Sequence, residues 1–219
     1  MLHIERGVTA LIGGGGKTTL LHTLAEELSQ TGRVVVATST KMLVPDWCSV
    51  LIDASVADVE LELQRSSIVC TGGIHKPTGK LDASSVPFSR LAAVADYVVV
   101  EADGSKGLPL KAHAPHEPVI PSCAHNVVCV VGIDGVGKPL SQACHRPERF
   151  AELANASLAD AVTSGMVAAV FEAEGLHRRV YVNKVETVSD WRNAEELAQH
   201  SSTPVVAGSL WKGEFRCLR

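Results

Sequence analysis

Leu11-Ile-Gly-Gly-Gly-Gly-Lys-Thr-Thr19 decides how this chain is read. The run follows an apolar stretch, Val8 to Ile12, and opens into a segment whose Leu20, Leu21, Leu24 and Leu28 recur at helical spacing. A strand, a glycine loop, Lys-Thr and a helix are together the parts that hold nucleotide phosphates. Gly13, Gly14, Gly15 and Gly16 let backbone N–H groups converge on an anion without Cβ obstruction. The helix beginning near Thr18 turns its positive dipole end and unpaired N–H groups to the same anion. Lys17 is expected to reach the β- and γ-phosphates, and the Thr18 hydroxyl to enter a Mg²⁺ shell, with Thr19 in the same loop. Leu11 stands where the common G-x-x-x-x-G-K-[ST] pattern has its first glycine. What remains is the compact G-x-G-G-K-T-T form, also seen in some synthetases.

Working outward, the 219 residues suffice for a full core, and 46% hydrophobic with 20% charged residues describes an ordinary globular chain. The formal charge of −4 supplies no global basic field, which disfavours nucleic acid or an anionic membrane as a partner. The N-terminus lacks the pattern of a secretory signal, and no run approaches the ~18 apolar residues of a membrane helix. The expectation is a cytoplasmic protein whose six cysteines are free thiols. Cys70 and Cys129 lie in apolar runs and read as core. Cys123-Ala-His125 and Cys144-His145 are the pairings that resemble soft-metal ligands, and metal or selenium binding there stays open.

Apolar, β-branched runs alternate with helical patterns. Strands are expected at Val8–Ile12, Val34–Thr38, Ile68–Thr71, Tyr97–Glu101, Val127–Val131, Val180–Val182 and Val205–Ala207. Helices are expected near Thr18–Thr31, Val56–Arg65, Ser89–Ala95, Pro147–Ala156, Ser164–Glu174 and Ser189–His200, with Gly32 and Gly175 as left-handed C-caps. Continuously apolar strands such as Val98-Val99-Val100 imply burial on both faces, hence a mainly parallel sheet covered by helices. Residues 102–122 and 132–146 form long connections, and both leave strand ends on the edge where open α/β sheets bind ligands.

That edge carries two further constellations. Tyr97-Val-Val-Val-Glu101 runs into Ala102-Asp103-Gly104, and a phosphate loop needs a carboxylate on a neighbouring strand end to hold Mg²⁺. Glu101 and Asp103, two apart on extended backbone, would face the same side. Glu101-Ala-Asp103-Gly104 also fits the D-x-x-G of GTPases with Glu in the first place. Asn183-Lys184-Val185-Glu186 follows the strand Val180–Val182 where GTPases read guanine with N-K-x-D. Thr38-Ser39-Thr40-Lys41 ends the second strand and reads either as a γ-phosphate contact or as a loop cap. Lys76 and Lys80 read as a solvated charged loop. Lys106, Lys111, His113 and Arg146 are expected to form an electropositive lip beside the phosphate loop, with His116 and His145 in the same two connections.

Several of these segments recur together in a known family. Gly13-Gly-Gly-Gly-Lys-Thr-Thr19, Thr38-Ser-Thr-Lys-Met42, Val100-Glu-Ala-Asp-Gly-Ser-Lys-Gly-Leu-Pro-Leu-Lys-Ala112, His116-Glu-Pro-Val-Ile-Pro121, Gly132-Ile-Asp-Gly135, His145-Arg-Pro147 and Asn183-Lys-Val-Glu186 resemble, in order, the YqeC family. Its members are assigned as accessory proteins of selenium-dependent molybdenum hydroxylases, mainly by genomic association. The resemblance runs nearly end to end and implies a single P-loop NTPase-like domain over residues 1–219, a three-layer α/β fold with a mainly parallel sheet flanked by helices. It also implies a role in maturing or inserting the selenium-bearing molybdenum cofactor, with a molybdenum hydroxylase or its anionic cofactor as partner. Glu186 stands where members commonly carry Asp.

The expectation is therefore an NTP-hydrolysing maturation factor. Its nucleotide, GTP or ATP, is held by Gly13 to Thr19 and by Asn183, Lys184 and Glu186. Mg²⁺ is held by Thr18 and Glu101, with Lys17, Glu101 and Asp103 as catalytic groups. Two other classes stay open: a small-molecule kinase with Asp103 as base, and a nucleotide-gated binding module without turnover.

Overall fold

The computed structural model describes residues 2–219. In chain order its elements are β1 (Gly7–Gly13), α1 (Lys17–Leu28), β2 (Val34–Thr38), β3 (Lys41–Met42), β4 (Ser49–Ile52), α2 (Val56–Glu62), β5 (Ile68–His75), β6 (Lys80–Asp82) and α3 (Phe88–Val94). There follow β7 (Tyr97–Glu101), β8 (Leu110–Lys111), β9 (Ala124–Gly132), α4 (Leu140–Ala143), β10 (Cys144–His145), α5 (Pro147–Ala154), α6 (Ser164–Glu174), β11 (Arg179–Asn183), α7 (Val188–Gln199), β12 (Val205–Ser209) and β13 (Glu214–Cys217).

Eleven strands form one mixed, mainly parallel sheet in the order β13-β12-β11-β9-β1-β7-β2-β5-β6-β3, with β4 also pairing with β5. The strands from β12 to β5 run parallel, and antiparallel β13, β6 and β3 are added at the two edges. β8 and β10 make a separate parallel pair.

The period of two along each strand divides the core between the sheet's faces. Leu11, Val99, Val128, Val130, Tyr181 and Val206 pack on one side with Leu20, Leu21 and Leu24 of α1. Ile12, Cys129, Val131, Val180 and Val182 pack on the other with Phe171 of α6 and Leu197 of α7. Farther along that second face, Val35, Val98 and Val100 meet Val59 of α2 and Leu91 of α3. Both faces are therefore dry, which explains why the strands read as unbroken apolar runs.

The longer elements fall where the sequence places them, and α6 and Gly175 (φ 59) agree closely. The short strands β3, β4, β6, β8, β10 and β13 and the single turn α4 carry too few residues for a period to show. The charged run Gly73–Lys80 is the β5–β6 hairpin. Gly32 is not a C-cap: α1 ends at Leu28 with right-handed Ser29 as its cap. A Cβ on Gly32 would instead meet the Asp96 side chain at 2.7 Å, where Asp96 accepts from the Arg33 N–H at 2.8 Å. Among the described residues no helix is long and apolar enough to cross a membrane.

Parallel strands bring their C-terminal ends to one edge. Leu11 and Thr38 both pair with Glu101, Gly13 pairs with Val130, and Asn183 pairs with Gly132. The glycine loop, the acidic strand end and the Asn-Lys motif thus meet along one rim.

Candidate functional site

The glycine loop is shaped by close backbone approach. Gly13, Gly15 and Gly16 have φ of 96°, 74° and 115°, a region that L side chains rarely adopt. A Cβ on Gly14 would stand 2.7 Å from the Pro109 carbonyl, and one on Gly15 would collide with the Gly132 backbone. The loop is pinned by Gly14 N–H donating to Val130 O at 2.9 Å and Gly15 N–H donating to Leu108 O at 3.2 Å. Among the described residues, the N–H groups of Gly16, Lys17, Thr18 and Thr19 find no backbone or side-chain acceptor. They are the first N–H groups at the start of α1, donors of the kind that can cradle an anion. Thr18 and Thr19 are exposed there.

Two carboxylates close on this loop from β7. The Thr18 hydroxyl donates to Glu101 Oε2 at 2.9 Å. Thr38 and Ser39 hold the Glu101 backbone, their hydroxyl and N–H donating to its carbonyl at 2.9 and 3.1 Å. The Thr38–Lys41 segment is therefore a brace for Glu101, and Lys41 Nζ turns away to His75 at 2.8 Å. Burial pushes the Glu101 carboxyl above its ordinary range, and Lys17 and the Thr18 hydroxyl only partly offset this. A hydroxyl and a carboxylate 2.9 Å apart are hard oxygen donors of the kind Mg²⁺ takes, and a divalent cation would relieve the penalty on the buried charge. The residues present fit that ion.

Asp103 points into the same site but is enclosed, with no exposed surface. Its Oδ2 accepts from the Gly13 N–H at 2.9 Å, lies 2.6 Å from His113 Nε2 and 3.3 Å from Lys111 Nζ. Its Oδ1 lies 3.0 Å from Lys17 Nζ without hydrogen-bond geometry, and Lys17 donates to Gly13 O at 2.6 Å. Burial works against the Asp103 charge, yet Lys17, the His113 hydrogen bond and Lys111 outweigh it and hold the carboxyl well below the usual range. His113 Nδ1 in turn lies 2.7 Å from Glu174 Oε2 of α6, and its backbone N–H donates to Glu174 Oε1 at 2.6 Å.

The expected electropositive lip does not form. Lys111 and His113 are buried, and Lys111 donates to Gly104 O at 2.7 Å and pairs with Glu117 at 3.0 Å. Arg146 is spent on the same Glu117 at 2.9 Å. Lys106 stays exposed. The desolvation cost of buried cations explains the inversion: Lys111 and His113 enter the interior only because Asp103, Glu117 and Glu174 accompany them.

The opposite end of the rim is looser. Asn183 donates from Nδ2 to Gly15 O at 2.8 Å and so ties β11 to the glycine loop. Lys184, at φ 64°, turns its ammonium to Asp134 Oδ2 at 3.1 Å. Glu186 is exposed, and its carboxylate accepts from the Ser209 hydroxyl at 2.9 Å. Cys144 is buried at the rim in β10, whereas Cys123 is exposed just before the start of β9, at the other end of the sheet. The described residues hold no group of three His, Cys, Asp or Glu side chains placed for a metal ion.

The family model described as YqeC protein matches residues 9–148, from β1 to the start of α5, and so takes in Lys17, Asp103, Lys111 and His113 but not Glu174. The Escherichia coli (strain K12) protein described as "Uncharacterized protein YqeC" is 33% identical over 226 aligned positions, covering 95% of this chain and 88% of that relative. This chain belongs to the YqeC family. The matched span holds the glycine loop, Glu101 and Asp103 and stops before the Asn183–Glu186 motif.

Sequence reading missed the partners more than the motifs. Glu174 carried no signal beyond a charge in the last turn of a helix. Glu117 sits in the quoted His116-Glu-Pro block, so the recurrence of that block marked it without giving its role. Ser209 ends the last parallel strand, and that position was the available signal.

Proposed function

We propose that this YqeC-family protein binds a Mg²⁺·nucleoside triphosphate at the rim and hydrolyses it, acting as an accessory factor in the maturation or insertion of the selenium-containing molybdenum cofactor. The carrying observation is the convergence of four unpaired N–H groups, the Lys17 ammonium and the Thr18–Glu101 hydrogen bond at one strand end. Lys17 and the N–H groups of Gly16 to Thr19 would take the β- and γ-phosphates, and Thr18 with Glu101 would hold Mg²⁺. Bound there, the ion supplies neutralisation of charge on the terminal phosphate oxygens. Asn183, by holding Gly15, positions the loop, and Glu186 with Lys184 would face the base. The maturation role rests on the family resemblance.

A cavity of about 270 Å³ borders Thr18 and is walled by Leu21, Leu43, Val44, Pro45, Asp46 and Trp47. It gives the kinase reading a place for an acceptor, yet Asp103 cannot be the base of such a kinase. It is sealed from solvent and surrounded by three cations. Hydrolysis is the better-supported reaction.

The test is calorimetric titration of wild type and Lys17→Ala with Mg²⁺·GTP and Mg²⁺·ATP. Loss of the ammonium is expected to weaken binding by at least ~2 kcal/mol, the scale of a lost charged hydrogen bond. Equal affinities would overturn the reading.

A further inference from the structure

The Lys17 ammonium sits 3.0 Å from a buried carboxylate, and that creates a conflict. A lysine paired with Asp103 in a dry interior is held by a strong field, yet the proposed function needs its charge on a phosphate. The geometry around Asp103 resolves the conflict. Its second oxygen is filled by Gly13 N–H, Lys111 Nζ and His113 Nε2, while Lys17 faces the other oxygen without a hydrogen bond. His113 lies between two carboxylates, Nε2 at 2.6 Å from Asp103 and Nδ1 at 2.7 Å from Glu174. An imidazolium donates from both ring nitrogens, so two flanking carboxyl groups favour that form: burial opposes it, yet the hydrogen bonds to Asp103 and Glu174 hold the ring's titration above its ordinary range. Three cations thus share one Asp103 charge: His113 is also held by the Glu174 carboxylate and Lys111 by the Glu117 carboxylate and Gly104 O, whereas the further partner of Lys17 is a neutral carbonyl, Gly13 O at 2.6 Å.

We propose that His113 is a positioning residue which, seated between Asp103 and Glu174, offsets the Asp103 charge and so releases Lys17 to the phosphates of a bound nucleotide. Lys111 assists from the same side. The chain Glu174–His113–Asp103–Lys17 connects α6 to the glycine loop through side chains with at most 10% of their surface exposed. No sequence motif joins these four residues, because the link runs across 61 positions between His113 and Glu174.

This inference rests on the proposed nucleotide site, and the experiment separates the two. Mg²⁺·GTP and Mg²⁺·ATP affinities are measured for wild type, His113→Gln, Asp103→Asn and the double variant, with thermal melts to establish folding. His113→Gln is expected to weaken binding about tenfold, the scale of coupling between contacting charged groups. In the Asp103→Asn background the same substitution is expected to change affinity by less than about twofold, because the charge it offsets is gone. Equal losses in both backgrounds would make His113 merely structural and overturn the inference, as would no loss at all. Should His113→Gln fail to fold, Lys111→Gln in the same cycle decides, since it strips cationic charge from the same carboxylate. A wild type that binds neither nucleotide overturns the proposed function itself, whereas binding without coupling overturns the His113 role alone.

Discussion

The two ends of the rim are built on opposite plans. At the glycine-loop end, Lys17, Asp103, Lys111 and His113 are buried and joined to one another, and Gly13, Gly14 and Gly15 lie against neighbouring backbone. At the base end, Glu186 is exposed, Lys184 is half-buried, and the turn after β12 ends in Gly213 with open space around it. The difference teaches where the fold spends its rigidity. A triphosphate is recognised by fixed N–H groups and charges, which need a braced loop, whereas a base edge can be met by side chains that settle on contact.

Glycine substitutions break this comparison most sharply. Gly15→Ala forces a Cβ into the Gly132 backbone at φ 74° and is expected to cost at least ~2 kcal/mol in denaturant unfolding, combining backbone strain with overpacking. Gly213→Ala at φ 68° meets no atom within 4 Å and should cost only about 1 kcal/mol of left-handed strain. Equal costs would mean that the two ends are braced alike.

Base choice sharpens the comparison with a smaller effect. If Glu186 reads guanine, Mg²⁺·GTP should bind tighter than Mg²⁺·ATP, and Glu186→Ala should bring the two within about threefold, given the partial exposure of that end. Competition between the two nucleotides measures it. Tighter ATP binding by wild type would remove the guanine reading while leaving the proposed phosphate contacts of the glycine loop untouched.

The same contrast explains what was legible in the sequence. The glycine loop, β7 and the place of Glu101 at its end were readable because each is a local pattern: four glycines before Lys-Thr, and an apolar run ending in acid. The parallel sheet was readable because strands buried on both faces show no alternation. The partners of Asp103 were not readable. Lys111 and His113 in a Pro-rich connection look like surface charge, and only the fold brings Glu174 to His113 and Glu117 to Arg146. Charge pairing across long separations leaves no period, so it turned an expected cationic lip into a neutralised interior. Edge strands such as β3 and β13 were hidden for a simpler reason, being two and four residues long.

The central claim is that Thr18 and Glu101 form a Mg²⁺ site at the mouth of the glycine loop, and titrating wild type and Glu101→Gln with nucleotide in Mg²⁺ and in excess EDTA tests it most directly. Wild type should bind at least about tenfold tighter with Mg²⁺, as expected where a hydrogen-bonded carboxylate and hydroxyl both contribute to the ion, and Glu101→Gln should lose most of that difference. Nucleotide binding by wild type that is indifferent to Mg²⁺, or a full Mg²⁺ effect retained by Glu101→Gln, would contradict it.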